Sequence, residues 1–210
     1  MRALLFDFNG TLSDDEGLQC EIYQRLFAEQ GKPLTEEQYF AELVGLSDVQ
    51  IVERWLGAGH PAAAAVLAAR VRLYQEAAAD GSTVAAEVRE AVRSARGRAR
   101  LAVVSGAMRS EVESVLRAAG LDFFDEVVVA ADVGRGKPAP DIYLRALELL
   151  QVDAAEAVAI EDAAPGVASA KAAGLYVVGV AGTASADRLE FADEVVPRLD
   201  VELVNRLLSL

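Results

Sequence analysis

The chain has 210 residues, 53% of them hydrophobic, with a formal net charge of −13 and one cysteine. That length carries one well-packed core with room for a small accessory domain. The acidity argues against nucleic acid and anionic membranes as partners, since both call for a basic footprint, and the lone Cys20 excludes an internal disulfide or a cysteine-based zinc site. No apolar run reaches membrane-span length, and the N-terminus lacks the pattern of a secretory leader. A cytoplasmic protein is expected, monomeric or weakly dimeric.

Residues 3–6 (Ala3-Leu4-Leu5-Phe6) read as a short buried strand that runs into Asp7-Phe8-Asn9-Gly10-Thr11. A carboxylate at the C-terminal edge of such a strand stands where ligands collect in open α/β sheets. From about residue 14 to 80 the chain is rich in Ala, Glu, Gln and Leu at helical spacing, with no strand-like alternation. It reads as a helical insertion. Asp80-Gly81-Ser82-Thr83 is the expected return, with Ser82 or Thr83 capping the next helix. Beyond about residue 100, apolar runs at 101–104, 127–130, 157–160, 176–180 and 194–196 alternate with helical stretches at 111–119, 140–149 and 165–173. Regular strand–helix alternation argues an α/β fold with a doubly wound parallel sheet. Residues 1–13 and 81–210 would form that core, and residues 14–80 the insertion.

An Asp after a strand can be a structural cap, a metal ligand or a nucleophile. Three partners follow apolar runs in the same way: Ser105-Gly106, Lys137, and the pair Glu161-Asp162. Each alone is an ordinary turn, a solvated lysine or a helix cap; in this order at one sheet edge they fit phosphoryl transfer. Asp7 would be nucleophile and metal ligand, with Glu161 and Asp162 supplying oxygen ligands suited to Mg²⁺. Lys137, one of three lysines in the chain, could neutralise the nucleophile and the phosphoryl oxygens. Ser105, Gly106 and Thr11 offer hydroxyls and an unobstructed N–H to phosphate.

These segments resemble the haloacid dehalogenase superfamily, in its β-phosphoglucomutase-like branch. The resemblance rests on Asp7-Phe8-Asn9-Gly10-Thr11-Leu12, Val104-Ser105-Gly106, Gly136-Lys137-Pro138-Ala139-Pro140-Asp141, and Ile160-Glu161-Asp162 with Pro165-Gly166, and spans nearly the whole chain. It implies a Rossmann-like core with a helical cap inserted after the first strand, Mg²⁺, an aspartyl-phosphate intermediate, and a small phosphorylated metabolite as substrate. It carries Asp7 as nucleophile, Ser105 and Lys137 as contacts to phosphate and nucleophile, Asp162 as metal ligand and Glu161 as a direct or water-mediated one.

The departure is Asn9. Members of the family that turn over phosphoesters carry there a second Asp, whose backbone carbonyl binds the metal and whose side chain protonates the leaving group. Asn9 can do the first and not the second, and general acid–base help is worth about 10²–10⁴-fold. Three readings follow. The protein is a phosphohydrolase with another acid, for which Asp14, Asp15 and Glu16 are candidates. Or its reaction needs no leaving-group acid, as in dehalogenases and in phosphonatases with a cap Schiff-base lysine, although Lys32, the one cap lysine, is poorly placed. Or it is a binding module of reduced activity. His60, the only histidine, reads as an exposed turn residue, which leaves no Ser-His-Asp triad. Trp55 reads as a cap-helix packing residue.

Overall fold

The computed structural model describes residues 2–181 and 189–209. Its strands are β1 (Ala3–Phe6), β2 (Arg100–Ser105), β3 (Glu126–Val129), β4 (Ala157–Glu161), β5 (Tyr176–Val180) and β6 (Glu194–Val196). All pair in parallel, in the order β3-β2-β1-β4-β5-β6. The strand expectations hold to within a residue or two at their ends. β1 sits centrally, and the chain winds outward from it first through β2 and β3, then back through β4 to β6. The crevice beside β1 is the switch point where ligands bind in this architecture.

Side chains of β1 alternate between two apolar layers, as the pleat requires. Leu4 and Phe6 face a layer that includes Val92 of α5 (Ala86–Ala95), Val112 and Leu116 of α6 (Arg109–Ala118), and Leu203 and Val204 of α9 (Val201–Leu207). Ala3 and Leu5 face Ile142, Tyr143 and Ala146 of α7 (Asp141–Leu150) and Val167 and Ala170 of α8 (Ala164–Ala172). Cover on both faces explains why the strands read as unbroken apolar runs.

Between β1 and α5 lie α1 (Glu16–Glu29), α2 (Glu36–Glu42), α3 (Asp48–Leu56) and α4 (Ala63–Ala77). Thr35 with Gln38, and Ser47 with Gln50, form reciprocal capping boxes that start α2 and α3. Tyr23 stacks on Phe27 and Tyr39, and Phe27 on Trp55, tying α1, α2 and α3 together.

The expected cap on α5 is a correction. Ala85 occupies the N-cap position and no side chain caps the helix. Ser82 instead donates its N–H to Asp80 in a local turn (2.9 Å). The Thr83 hydroxyl accepts from Ser13 (2.8 Å), and its carbonyl accepts from the Asp14 N–H (2.8 Å). Those bonds join the points where the chain leaves the β1 loop and returns to it, and they consume the groups a cap would need.

Candidate active site

Strand ends build the site. The Asp7 N–H donates to the Ile160 carbonyl (2.9 Å), so the residue after β1 is held against the end of β4. Glu161 closes β4 and Asp162 follows it. Lys137 reaches in from the segment between β3 and α7. Its ammonium donates to Asp7, to Glu161 (2.6 Å) and to the Val104 carbonyl (3.1 Å), which uses all three donors. Tyr143 of α7 donates its hydroxyl to the same Glu161 oxygen.

Two glycines make room for the carboxylates. Gly10 has φ +79°, and a Cβ there would stand 2.0 Å from Asp162 Oδ2. A Cβ at Gly166, in the first turn of α8, would stand 2.1 Å from Glu161 Oε1. Glycine is therefore demanded by close approach at both, and at Gly10 by the left-handed backbone as well.

Asp7, Glu161 and Asp162 are buried, and they bring carboxylate oxygens within 4.8 Å of one another. Asp162 Oδ2 has no hydrogen-bond partner. Burial and mutual repulsion raise the Asp162 carboxyl well above its usual range, and burial also raises Asp7 against the pull of Lys137. Burial pushes Glu161 up to about 7, again opposed by Lys137. Burial works against the charged ammonium of Lys137, but the Asp7 and Glu161 carboxylates outweigh it and keep the lysine protonated. An orphaned buried carboxylate oxygen beside two more carboxylates is costly. An oxygen-seeking divalent cation relieves that cost, so this donor set fits a hard ion such as Mg²⁺.

The other residues singled out by sequence lie around this centre. Gly106 lines the cavity together with Ala107. Ser105 is fully buried, and its hydroxyl accepts from the Ala107 N–H (3.0 Å), shaping that turn. The Thr11 hydroxyl points at Asp162 (3.4 Å), and Thr11 borders a separate groove next to Leu12 and Pro197. Asn9 lines the cavity, but its amide donates to Asp15 (2.9 Å), which also accepts from Tyr74. Of the candidate acids, Asp14 is exposed, Asp15 is buried behind Asn9, and Glu16 lines the cavity. Burial, helped by Asp15 and Asp7, pushes Glu16 up to about 8, and burial lifts Asp15 to about 6. The far wall comes from α1 to α4 and the loop before α3: Gln19, Tyr39, Gly45, Leu46, Asp48 and Arg70. Only about 50 Å³ stays free between the walls, room for a few waters.

The match to known proteins follows the same residues. The model of haloacid dehalogenase-like hydrolases matches residues 4–180. The chain belongs to this family of hydrolases. A validoxylamine A 7'-phosphate phosphatase of Streptomyces hygroscopicus subsp. limoneus is 32% identical over 203 residues, covering 94% of each chain. A variant of CbbY from Rhodobacter sphaeroides, solved with xylulose-(1,5)-bisphosphate, superposes with TM-score 0.85 at 30% identity, over 97% of this chain and 96% of that one. The β-phosphoglucomutase of Clostridium difficile shares the fold, with TM-score 0.86 at 19% identity over 100% and 97%. The hydrolase lies in the β-phosphoglucomutase-like branch, with a Rossmann-like core.

Sequence reasoning did not single out Tyr143, Gln19, Tyr39 or Arg70 of this hydrolase. Arg70 had a readable signal. Val66, Arg70 and Tyr74 are the buried residues of α4, spaced four apart, so Arg70 is a charge inside an apolar stripe. His60 is half-buried in the turn after α3, where its Nδ1 accepts from the Ala62 N–H (3.3 Å). Trp55 is half-buried and donates its indole N–H to the Lys32 carbonyl (3.0 Å). No helix among the described residues is long and apolar enough to cross a membrane.

Proposed function

We propose that this hydrolase is a Mg²⁺-dependent phosphatase of small phosphomonoesters that works through a phosphoryl group carried on Asp7. The observation that carries the reading is the convergence of Asp7, Lys137, Glu161 and Asp162 at adjoining strand ends, with one buried carboxylate oxygen left unpartnered. Asp7 and Asp162, with Glu161 and the Asn9 backbone carbonyl, would hold the ion. A bound Mg²⁺ would neutralise phosphoryl charge that otherwise repels an attacking carboxylate.

An Asp7 oxygen attacks phosphorus, and the bond from phosphorus to the alcohol oxygen breaks. The alcohol leaves with a proton, and water then attacks phosphorus to free the Asp7 carboxylate and inorganic phosphate. Lys137 holds Asp7 in place and stays positive beside the transferring oxygens. The Gly106 backbone N–H, in a turn set by the Ser105–Ala107 bond, supplies a donor to phosphate. Thr11 acts through Asp162.

Residues 14–80 act as a cap over a core of residues 1–13 and 81–210. Support comes from the Ser13–Thr83 and Asp14–Thr83 bonds at the junction, and from the small free volume under the helices. The helices must part to admit substrate, and closure excludes water from the reaction.

The Asn9 amide has no proton to give the leaving alcohol, and its donor is engaged by Asp15. Of the three acidic residues that follow in the chain, Glu16 is the one that lines the cavity, and burial holds it protonated near neutrality, so it supplies that proton less directly. A Schiff-base reading finds no support: the Lys32 ammonium donates to the Leu56 carbonyl (2.9 Å) and does not line the cavity. The binding-module reading retains one supporting observation, the engaged Asn9.

The test is phosphate release from a panel of phosphomonoesters with and without Mg²⁺. Mg²⁺-dependent release that Asp7→Asn abolishes is the expected result. Release indifferent to both changes would sink the proposal, and silence that Asn9→Asp converts into turnover would favour the binding module.

A further inference from the structure

The cavity is bordered by two cations among the described residues, Lys137 and Arg70. Lys137 belongs to the reacting phosphate. Arg70 stands across the cavity on α4, only 2% exposed, and is the one cap cation that could meet a second anionic group on a substrate.

Arg70 is already occupied. Its Nη1 is bonded to Glu111 at the start of α6, and its Nε lies 3.2 Å from Asp48. Nε and Nη2 both donate to Gln19 Oε1, at 3.1 and 2.6 Å. One guanidinium thus faces two carboxylates and an amide carbonyl, and the local sum is negative before any ligand arrives. Asp48 is held in turn by the Tyr23 hydroxyl (2.7 Å), so it does not swing away freely. A second phosphate or a carboxylate on the substrate would meet the Asp48 carboxylate with no free cation to receive it, and like charges brought together disfavour binding. The same wall suits other groups. The Asp48 carboxylate, the Glu16 carboxyl and the Tyr39 hydroxyl are acceptors or two-way partners for hydroxyl and ammonium donors.

Building on the phosphatase reading, we infer that the substrate is the monophosphate of a hydroxyl-bearing molecule with no second anionic group, uncharged or cationic away from the phosphate. Bisphosphates and carboxylate-bearing phosphoesters are rejected by an acidic wall that has already spent its arginine. The structure of CbbY with a bisphosphate shows that a relative of similar fold accepts such a ligand. Here Asp48 and Glu111 decide against it.

The test uses matched pairs with saturating Mg²⁺: glucose 6-phosphate against glucose 1,6-bisphosphate, fructose 6-phosphate against fructose 1,6-bisphosphate, and glucosamine 6-phosphate against glucose 6-phosphate. Within each of the first two pairs the monophosphate should have a kcat/KM higher by about ten-fold or more. The amino sugar should at least equal the neutral one. Asp48→Asn, which frees Arg70 from one carboxylate, should shift both ratios towards the bisphosphate. Bisphosphates turned over as well as their monophosphates would overturn the inference while leaving the phosphatase reading intact. If no ester is turned over, the phosphatase reading falls, and the same pairs are read by calorimetric binding to the Mg²⁺-loaded protein. Tighter binding of the bisphosphates, or no binding of any ester, then overturns the selectivity too.

Discussion

Asn9 and Asp15 are matched to each other: one donates an amide N–H and the other accepts it across 2.9 Å. An Asp at position 9 would place two carboxylates in contact, and such a pair holds one proton between them. Asn9→Asp alone should therefore raise turnover only in part. Asn9→Asp with Asp15→Asn, which restores an amide partner, should go further, towards the roughly 10²-fold lower end of general acid–base help. Steady-state phosphate release from an alkyl phosphate measures both. Glu16→Gln in the unaltered background should slow alkyl phosphates more than p-nitrophenyl phosphate, whose leaving group needs no proton. Equal slowing of both would remove Glu16 from the role of acid. Glu16 also predicts a pH dependence of stability. Its folded pKa of about 8 lies above the ordinary value of 4.5, so its contribution is fully present below about pH 4.5 and is lost as pH rises through about 8. The melting temperature of the metal-free protein should fall as pH rises from about 4.5 to about 8, and less steeply in Glu16→Gln. Asp7, Lys137, Glu161 and Asp162 were legible in the sequence because each directly follows or closes an apolar run, or sits in a short specific motif. Gln19 was not, because it meets Arg70 only when α1 and α4 pack; Arg70 left a fainter signal, as a charge spaced four residues from Val66 and from Tyr74.

At the scale of elements, α4 is joined to α6 by the Arg70–Glu111 pair, buried on both sides. Removing one partner of such a pair leaves an uncompensated charge and costs about 3–5 kcal/mol. Arg70→Ala should show a loss of that size in urea unfolding, because Asp48 and Glu111 are stranded together. Strand positions were readable to within a residue or two because both faces of the sheet are covered, which makes each strand a compact apolar run. Helix starts were less readable. Ser82 and Thr83 look like caps, but a local turn with Asp80 claims Ser82 and tertiary bonds to Ser13 and Asp14 claim Thr83, and only the folded chain brings residues 13 and 83 together. Gly166 shows an element serving the site directly. Gly166→Ala should leave α8 folded while displacing the Glu161 carboxylate, read as a weaker thermal response to Mg²⁺.

For the whole molecule, the order of strands along the chain was legible but their order in the sheet was not. Alternation of strand and helix predicts a parallel wound sheet; that β1 lies between β2 and β4 comes from packing on both faces. This placement gathers Asp7, Ser105 and Glu161, which are far apart in sequence, at one edge. A metal ion held at the resulting acidic centre would couple its binding to global stability. Mg²⁺ at 100 times its dissociation constant should stabilise the fold by about 2.7 kcal/mol, an effect that Asp162→Asn should largely remove. The effect should also weaken as pH falls through the raised pKa values of the cluster, since protons compete for the same oxygens.

The proposed chemistry requires a phosphoryl group carried by Asp7, and Asn9 would make that species easier to catch because water attack on it would lack a base at position 9. Mixing the protein with Mg²⁺ and a turned-over phosphomonoester, quenching in acid, and mapping the peptides by mass spectrometry should reveal a phosphoryl adduct on Asp7, absent from Asp7→Asn and from samples without Mg²⁺. Phosphate released at full rate with no adduct, and unchanged in Asp7→Asn, would contradict it.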